Sequence, residues 1–230
     1  MNWFLEAAAR AAQLIISGDP ELLGIVALSL AVSFAATALA GGLAVPAGVA
    51  LALVRFPGRG AVVSACNALM GMPPVVVGLA VFLLLSRRGA LGRLELLFTP
   101  AAMVIAQAIL VLPIVAALTH AAVMGLDPLL RDTARTLGAS RVQAARLVIA
   151  EARYGIMAAL FAGFGRAIAE VGAVLMVGGN IQGLTRVMTT TIAMRTAMGD
   201  DSLALALGMI LIGLALAVNA LFYRIQRGAP

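Results

Sequence analysis

Long stretches without any charged side chain dominate this sequence. Each of them exceeds the ~20 residues that an α-helix needs to cross ~30 Å of hydrocarbon, and they cover residues 22–54, 60–86, 96–126 and 202–223. A fifth stretch, residues 152–178, is long enough but contains Arg153, Arg166 and Glu170. The pattern predicts an all-α integral membrane protein with about five transmembrane helices. The first stretch could hold one helix or two; one is simpler, because no polar loop divides it.

The composition excludes several classes of function. Of 230 residues, 63% are hydrophobic and 11% charged, against about 25% charged in soluble domains, so we expect one membrane domain over 1–230. No lysine occurs, and a phosphate-binding loop requires one. With a single cysteine, Cys66, and a single histidine, His120, we expect no metal site, no cofactor and no enzyme activity. The arginines lie between apolar segments, which argues against nucleic-acid binding despite the net charge of +6.

The arginines also predict an orientation. If residues 127–152 are cytoplasmic, more arginines fall on that side than on the other, as the positive-inside rule requires. The N-terminus then lies outside and the C-terminus in the cytoplasm. Residues 1–18 place Phe4, Leu14 and Ile15 on one helical face with Glu6 and Arg10 off it, which predicts a helix in the membrane interface.

Residues 127–152 are predicted to form a helix, a turn and a second helix. Asp127 and Pro128 are typical of a helix start, and Gly138 can adopt the left-handed conformation that ends one. Ser140 and Gln143 match a capping box. Two other interpretations are an amphipathic connector on the membrane surface and a DNA-reading helix-turn-helix. A motif fixed between membrane helices can hardly enter a major groove.

This segment resembles the E-A-A-x-x-x-G-x9-I-x-L-P loop of ATP-binding cassette (ABC) importer permeases. The segment aligns with this motif at Asp132-Thr133-Ala134, Gly138 and Val148. It differs from the motif at four positions, where Asp132, Thr133, Ala150 and Glu151 replace glutamate, alanine, leucine and proline. The resemblance implies a coupling helix around residues 134–144 that docks onto a separate ATPase. The coupling residues it implies are Asp132, Ala134, Arg135, Gly138, Ala139 and Arg141.

Two further stretches resemble the molybdate, tungstate and sulfate group of these permeases. Residues 72–79, MPPVVVGL, are similar to its P-P-V-V-V-G stretch. Residues 165–173, GRAIAEVGA, and 178–186, GGNIQGLTR, are similar to its E-[VF]-G-A and G-N-I-x-G-x-T signatures. The second of these, followed by Thr189, Thr190 and Thr191, looks closest to the tungstate branch. The matches cover roughly residues 22–223.

The resemblance implies the permease subunit of an ATP-driven tungstate importer in the inner membrane. Its partners would be a second copy of the chain, two cytoplasmic subunits that carry ATP and Mg²⁺, and an extracytoplasmic oxyanion-binding protein. Molybdate or sulfate permeases of the same group are alternatives. An ATP-independent secondary transporter is a further alternative, but we would expect it to carry several intramembrane carboxylates, and only Glu170 qualifies.

Tungstate is a tetrahedral dianion, so a pathway for it needs hydrogen-bond donors. Candidate pathway or gate residues are Asn180, Thr185, Arg186, Thr189, Thr190, Thr191, Arg166 and Glu170. For the asparagine and the threonines, helix caps and turn fillers are equally good interpretations. Arg166 and Glu170, one helical turn apart, are first of all a structural ion pair, within the chain or across a dimer, and a gate is the alternative. Pro73, Pro74 and Gly78 are candidate hinge residues, where a helix can bend or pack closely.

Overall fold

The computed structural model describes the backbone of residues 3–227 and the side chains of residues 4–221 and 224. The ends of the predicted domain 1–230, including the first two residues of the predicted N-terminal helix, lie outside this range. The described helices are α1 (Trp3–Ser17), α2 (Pro20–Leu53), α3 (Arg59–Leu69), α4 (Pro74–Leu85), α5 (Pro100–Met124), α6 (Pro128–Thr136), α7 (Arg141–Glu151), α8 (Arg153–Ile168), α9 (Gly172–Gly178), α10 (Met188–Ala197) and α11 (Asp201–Arg227). A short 3₁₀ turn occupies Gly92–Leu94, and the described part of the chain contains no strand.

The all-α membrane fold is confirmed. Three helices, α2, α5 and α11, are long and apolar enough to cross a membrane, and the number reaches five if the bent pairs α3–α4 and α7–α8 each count as one span. The first apolar stretch forms a single helix of 34 residues, as the simpler interpretation predicts. Asp19 caps it by accepting hydrogen bonds from the backbone amides of Glu21 and Leu22. Pro46 lies within it without ending it.

Helix α5 forms the centre of the bundle. Met103, Val111 and Val115 on this helix are fully buried, and α2, α3, α4, α8 and α9 pack around it. Small residues allow the helices to approach closely. A Cβ atom added at Gly163 of α8 would lie 2.8 Å from the side chains of both Val111 and Val115. The backbone of α8 therefore packs directly against these side chains of α5.

Gly48 gives a direct test of the contact between α2 and α5. A Cβ atom there would lie 2.6 Å from the Ala116 carbonyl oxygen and 2.8 Å from Thr119 Cβ, whereas one at Gly42 on the same helix would meet nothing within 4 Å. We expect Gly48→Ala to destabilise the protein by about 1–3 kcal/mol through overpacking. Gly42→Ala should be neutral or slightly stabilising, because alanine is the better helix former. Thermal unfolding of the purified variants in detergent measures the difference, and equal midpoints would contradict this packing.

Residues 60–86 form two helices with a sharp bend between them. Helix α3 ends at Leu69, α4 begins at Pro74, and the two axes differ by 102°. Pro74 disfavours helical geometry in the residue before it, and Pro73 is extended, with φ −63° and ψ 123°. The bend lies at two of the three predicted hinge residues. The third, Gly78, lies inside α4, where a Cβ would be 2.7 Å from the Cα of Ala173, so it serves close packing.

Residues 152–178, expected as one span, are also interrupted. Helix α8 ends at Ile168 and α9 begins at Gly172. Glycine is a poor helix former, and here the missing side chain also leaves room for a neighbour. A Cβ at Gly172 would lie 2.8 Å from a methyl group of Val75 at the start of α4. The two breaks in the chain therefore meet each other in the folded protein.

Helix α1 lies beside α11 and runs antiparallel to it. Leu14 and Ser17, near the end of α1, line a depression with Ser202, while Ala8 lines another that extends to Ala217. Fifteen residues of α11 correspond to about 22 Å of helix. The two helices therefore lie side by side over much of the length of α1. The interfacial position of α1 and the orientation of the termini stay predictions.

Candidate functional site

Residues 127–152 form the helix-turn-helix unit that the sequence predicts. The Asp127 carboxylate accepts a hydrogen bond from the Leu129 amide at 2.9 Å, which caps α6. Gly138 has a φ of +92° and ends that helix. The capping box is complete: the Ser140 amide donates to Gln143 Oε1 at 2.8 Å, and the Gln143 amide donates to Ser140 Oγ at 3.3 Å. The implied coupling helix around residues 134–144 is therefore not one helix, because the turn divides it.

The unit is anchored to the ends of the long helices. Val148 of α7 is 4% exposed and packs in a cluster with Val49 of α2 and Val123 of α5. Arg131 Nη1 donates to the Leu53 carbonyl, the last residue of α2, at 3.1 Å. Displacement of the unit must therefore displace the ends of α2 and α5 as well.

The implied coupling residues divide into two groups. Ala134 is 9% exposed and belongs to the interior of the unit, and Ala139 is half-buried; exposed are Asp132, Arg135, Gly138 and Arg141. The structure adds apolar residues that the sequence analysis missed: Leu129, Leu137 and Val142 are 66%, 83% and 62% exposed. Leucine in front of a helix-ending glycine was the available signal. Exposed apolar residues grouped in one part of a surface mark an interaction site.

The break between α8 and α9 is held by buried polar groups. Glu170 is 2% exposed; its Oε2 pairs with Arg166 Nη1, and its Oε1 accepts from the Ala173 amide at 3.0 Å, at the start of α9. On the other side of the break, Gln107 Nε2 of α5 donates to the Ala167 carbonyl at 3.1 Å. Sequence reasoning missed Gln107, although an amide in the middle of an apolar stretch was a visible signal. Arg166 and Glu170 thus form an ion pair within one chain.

The candidate pathway threonines are buried, and their hydroxyl groups bind the backbone. Thr189 Oγ1 donates to the Glu170 carbonyl at 2.8 Å, which ties α10 to the break. Thr190 Oγ1 accepts from the Val187 amide at 3.1 Å, and Thr191 Oγ1 donates to the Val187 carbonyl at 2.7 Å. These bonds match the helix-cap interpretation. A place in a transport pathway stays a prediction for these residues.

Thr185 closes the loop between α9 and α10. Its hydroxyl donates to the Gly178 carbonyl at 2.6 Å and accepts from the Ile181 amide at 2.9 Å, and the residue is fully buried. We expect Thr185→Val to cost about 1–3 kcal/mol, because two buried backbone groups lose their partner. Thr196 is the matched control, because it is exposed and its hydroxyl group only donates to the Ile192 carbonyl of its own helix. If thermal unfolding in detergent shifts equally for both valine variants, the loop does not depend on this hydroxyl.

Arg186 and Asn180 lie near the beginning of α2. Arg186 Nη1 is 3.3 Å from Glu21 Oε1, to which Gln182 Nε2 also donates at 2.9 Å. Asn180 has a left-handed backbone, with a φ of +51°, and Nδ2 contacts Met194 Sδ at 3.4 Å. The structure thus brings Asn180, Thr185 and Arg186 into one loop, away from the helix-turn-helix unit. Among the described residues, no group of three or more histidine, cysteine or acidic side chains could hold a metal ion.

Solved structures share this arrangement of helices. An amino acid ABC transporter matches with a TM-score of 0.66 at 19% identity, covering 93% of this chain and 96% of its own. The MetNI methionine ABC transporter, in an inward-facing conformation, matches with a TM-score of 0.71 at 17% identity, covering 91% and 96%. The fold is that of a type I ABC importer permease.

Sequence comparisons identify the family of the chain. It belongs to the family of binding-protein-dependent transport system inner membrane components, whose model matches residues 44–229. It is 41% identical to the tungstate uptake permease TupB of Peptoclostridium acidaminophilum over 98% of this chain and 99% of the relative. A probable anion ABC transporter permease of Haloferax volcanii is 46% identical, over 91% and 92%. The molybdenum permease ModB of Escherichia coli K12 is 32% identical, over 88% and 92%.

Proposed function

We propose that this chain is the tungstate-translocating permease subunit of an ABC importer. The observation that carries the proposal is the helix-turn-helix unit, a rigid projection with exposed leucines that is packed onto the ends of α2 and α5. It has the properties needed to receive force from a soluble partner. Tungstate is favoured as cargo by the 41% identity to TupB over nearly the whole chain. The identity to ModB keeps molybdate as the alternative.

Two ATPase subunits supply the energy in this proposal. The chain has no lysine and so cannot build its own phosphate-binding loop; ATP and Mg²⁺ belong to the partner. Each ATPase would contact the exposed apolar surface formed by Leu129, Leu137 and Val142. ATP binding would draw two such units together and open the pathway away from the cytoplasm, and hydrolysis would return it to the inward-facing state.

Helix α5 is the element that can transmit this motion. Val123 packs with the helix-turn-helix unit, and Gln107, sixteen residues earlier, holds the broken end of α8. About 24 Å of helix therefore connects the docking surface to the break beside Glu170. A continuous helix in contact with both elements is a physical route for coupling.

The anion would pass through a symmetric homodimer. A few helices of one chain enclose no continuous path, and α3 has no buried side chain in the single chain, which leaves it available for a second copy. At the end where α2 begins, Arg186 and Asn180 would receive the oxyanion from an extracytoplasmic binding protein. Arg166, whose side chain is 29% exposed, is the positive charge at mid-path.

The cargo can be identified through the binding protein. The permease, tagged and expressed in its native host, is expected to copurify with an extracytoplasmic protein that binds tungstate at least 10-fold more tightly than molybdate and does not respond to sulfate. Isothermal titration of that protein with the three oxyanions makes the comparison. If the binding protein prefers molybdate, the proposed cargo becomes molybdate. If it prefers sulfate, the assignment to tungstate or molybdate is overturned.

A further inference from the structure

A cavity lies beside the contact between the end of α2 and the helix-turn-helix unit, and residues of both line it. Its volume is about 890 Å³. The apolar part of its wall consists of Val45, Pro46, Val49 and Leu53 of α2 with Ala145 and Ile149 of α7. Its polar part consists of arginines from both sides. The cavity therefore combines a membrane-helix surface with a charged rim.

The rim is strongly positive. Arg55 after α2, Arg131 and Arg135 of α6 and Arg141 of α7 line it, opposed by Asp132 alone, so the formal charge is 4 − 1 = +3. Within the described part of the chain, none of these five residues has an opposite charge within 4.0 Å. Arg131 is held in place by the Leu53 carbonyl. Four arginines around one cavity, none with a carboxylate within 4.0 Å, provide a positively charged site suited to a phosphate-type anion.

The apolar wall indicates that the bound anion carries a hydrocarbon chain. From Val45 to Leu53 the helix rises about 12 Å, close to the ~15 Å thickness of one leaflet of the hydrocarbon core. Pro46 and Ala50 on this length are exposed in the chain. An inorganic anion would occupy the arginines and leave this wall bare, whereas a lipid would cover both parts.

We propose that this cavity binds an anionic phospholipid, with its phosphate at the four arginines and an acyl chain along α2. The lipid bridges α2 to the helix-turn-helix unit, because Arg55 belongs to one side of the cavity and Arg135 and Arg141 to the other. Such a bridge stabilises the position of the unit. The binding site is independent of which oxyanion the protein transports.

Native mass spectrometry of the purified full chain tests this inference. The protein is incubated with phosphatidylglycerol or phosphatidylcholine of equal chain length. We expect phosphatidylglycerol to be retained at least 5-fold more, and Arg135→Gln/Arg141→Gln to remove most of the difference. The matched control Arg87→Gln/Arg88→Gln, exposed arginines outside the cavity, should bind as the wild type does. A separate Arg55→Gln variant probes the α2 side without altering the unit.

Competition separates the possible ligands. Inorganic phosphate and tungstate at millimolar concentration should not displace phosphatidylglycerol. Displacement by either one would assign the arginines to a soluble anion and overturn the proposal. Equal retention of the two lipids, or an unchanged preference in both the double variant and Arg55→Gln, would overturn it as well.

Discussion

A Gly138→Val variant is expected to assemble in the membrane and to lose at least nine-tenths of ATP-driven tungstate uptake. Gly138 has a φ of +92°, where a β-branched residue costs about 1–3 kcal/mol. The neighbouring space is empty, with nothing within 4 Å of an added Cβ, so the chain relieves the strain by rotating the turn. The exposed Leu137 and the start of α7 then move from the positions that an ATPase would contact. Uptake and ATPase copurification are measured on the same preparation.

Gly199 provides the matched control. It has a φ of +78°, also with nothing within 4 Å, and it lies between α10 and α11. Gly199→Val carries comparable strain and should leave ATPase copurification intact. Gly138→Asn, which tolerates the left-handed conformation, should restore most of the uptake. Wild-type copurification and uptake in Gly138→Val would remove the docking role of the turn.

The second large effect is expected at the buried ion pair. Arg166→Leu leaves Glu170, 2% exposed, without its counter-charge, and an uncompensated buried charge costs about 3–5 kcal/mol. The folded-to-unfolded equilibrium constant should fall by a factor of about 100 or more. Glu170→Gln should be milder, because the amide oxygen can still accept from Ala173 and Arg166 is partly exposed. Thermal unfolding and the amount of folded permease in membranes provide the comparison.

The double variant separates structure from gating. Arg166→Leu/Glu170→Gln removes both charges and should recover most of the stability lost in Arg166→Leu. If Arg166→Leu is as stable as the wild type but transports nothing, the arginine serves the anion path alone and contributes nothing to the fold. If the double variant is the least stable of the three, the pairing does not carry the stability assigned to it.

Features that depend on near neighbours in the chain could be predicted well. The cap at Asp127, the turn at Gly138 and the Ser140–Gln143 capping box involve groups within a few residues of each other. Their geometry is set by backbone hydrogen bonds that any helix end must satisfy. The absence of a polar loop within residues 22–54 likewise favoured one helix, as α2 is.

Features that depend on distant neighbours could not be predicted in the same way. The break after Ile168 forms where Val75 approaches Gly172 and where Gln107 and Thr189 bind the backbone on either side. Those partners lie on other helices, so the sequence pattern of residues 152–178 by itself still predicts one continuous transmembrane helix. The threonines show the same limit. Their hydroxyl groups were available as anion donors in the sequence, whereas the folded chain engages them with its own backbone.

Reconstitution tests the central claim most directly. The permease is placed in proteoliposomes with the ATPase and binding protein that copurify with it, and tungstate uptake is followed with and without ATP. We predict that tungstate accumulates against its gradient only when ATP, the ATPase and the binding protein are all present, and that Gly138→Val abolishes the accumulation while Gly199→Val does not. Tungstate uptake of equal rate without ATP or without the ATPase would contradict the proposed function.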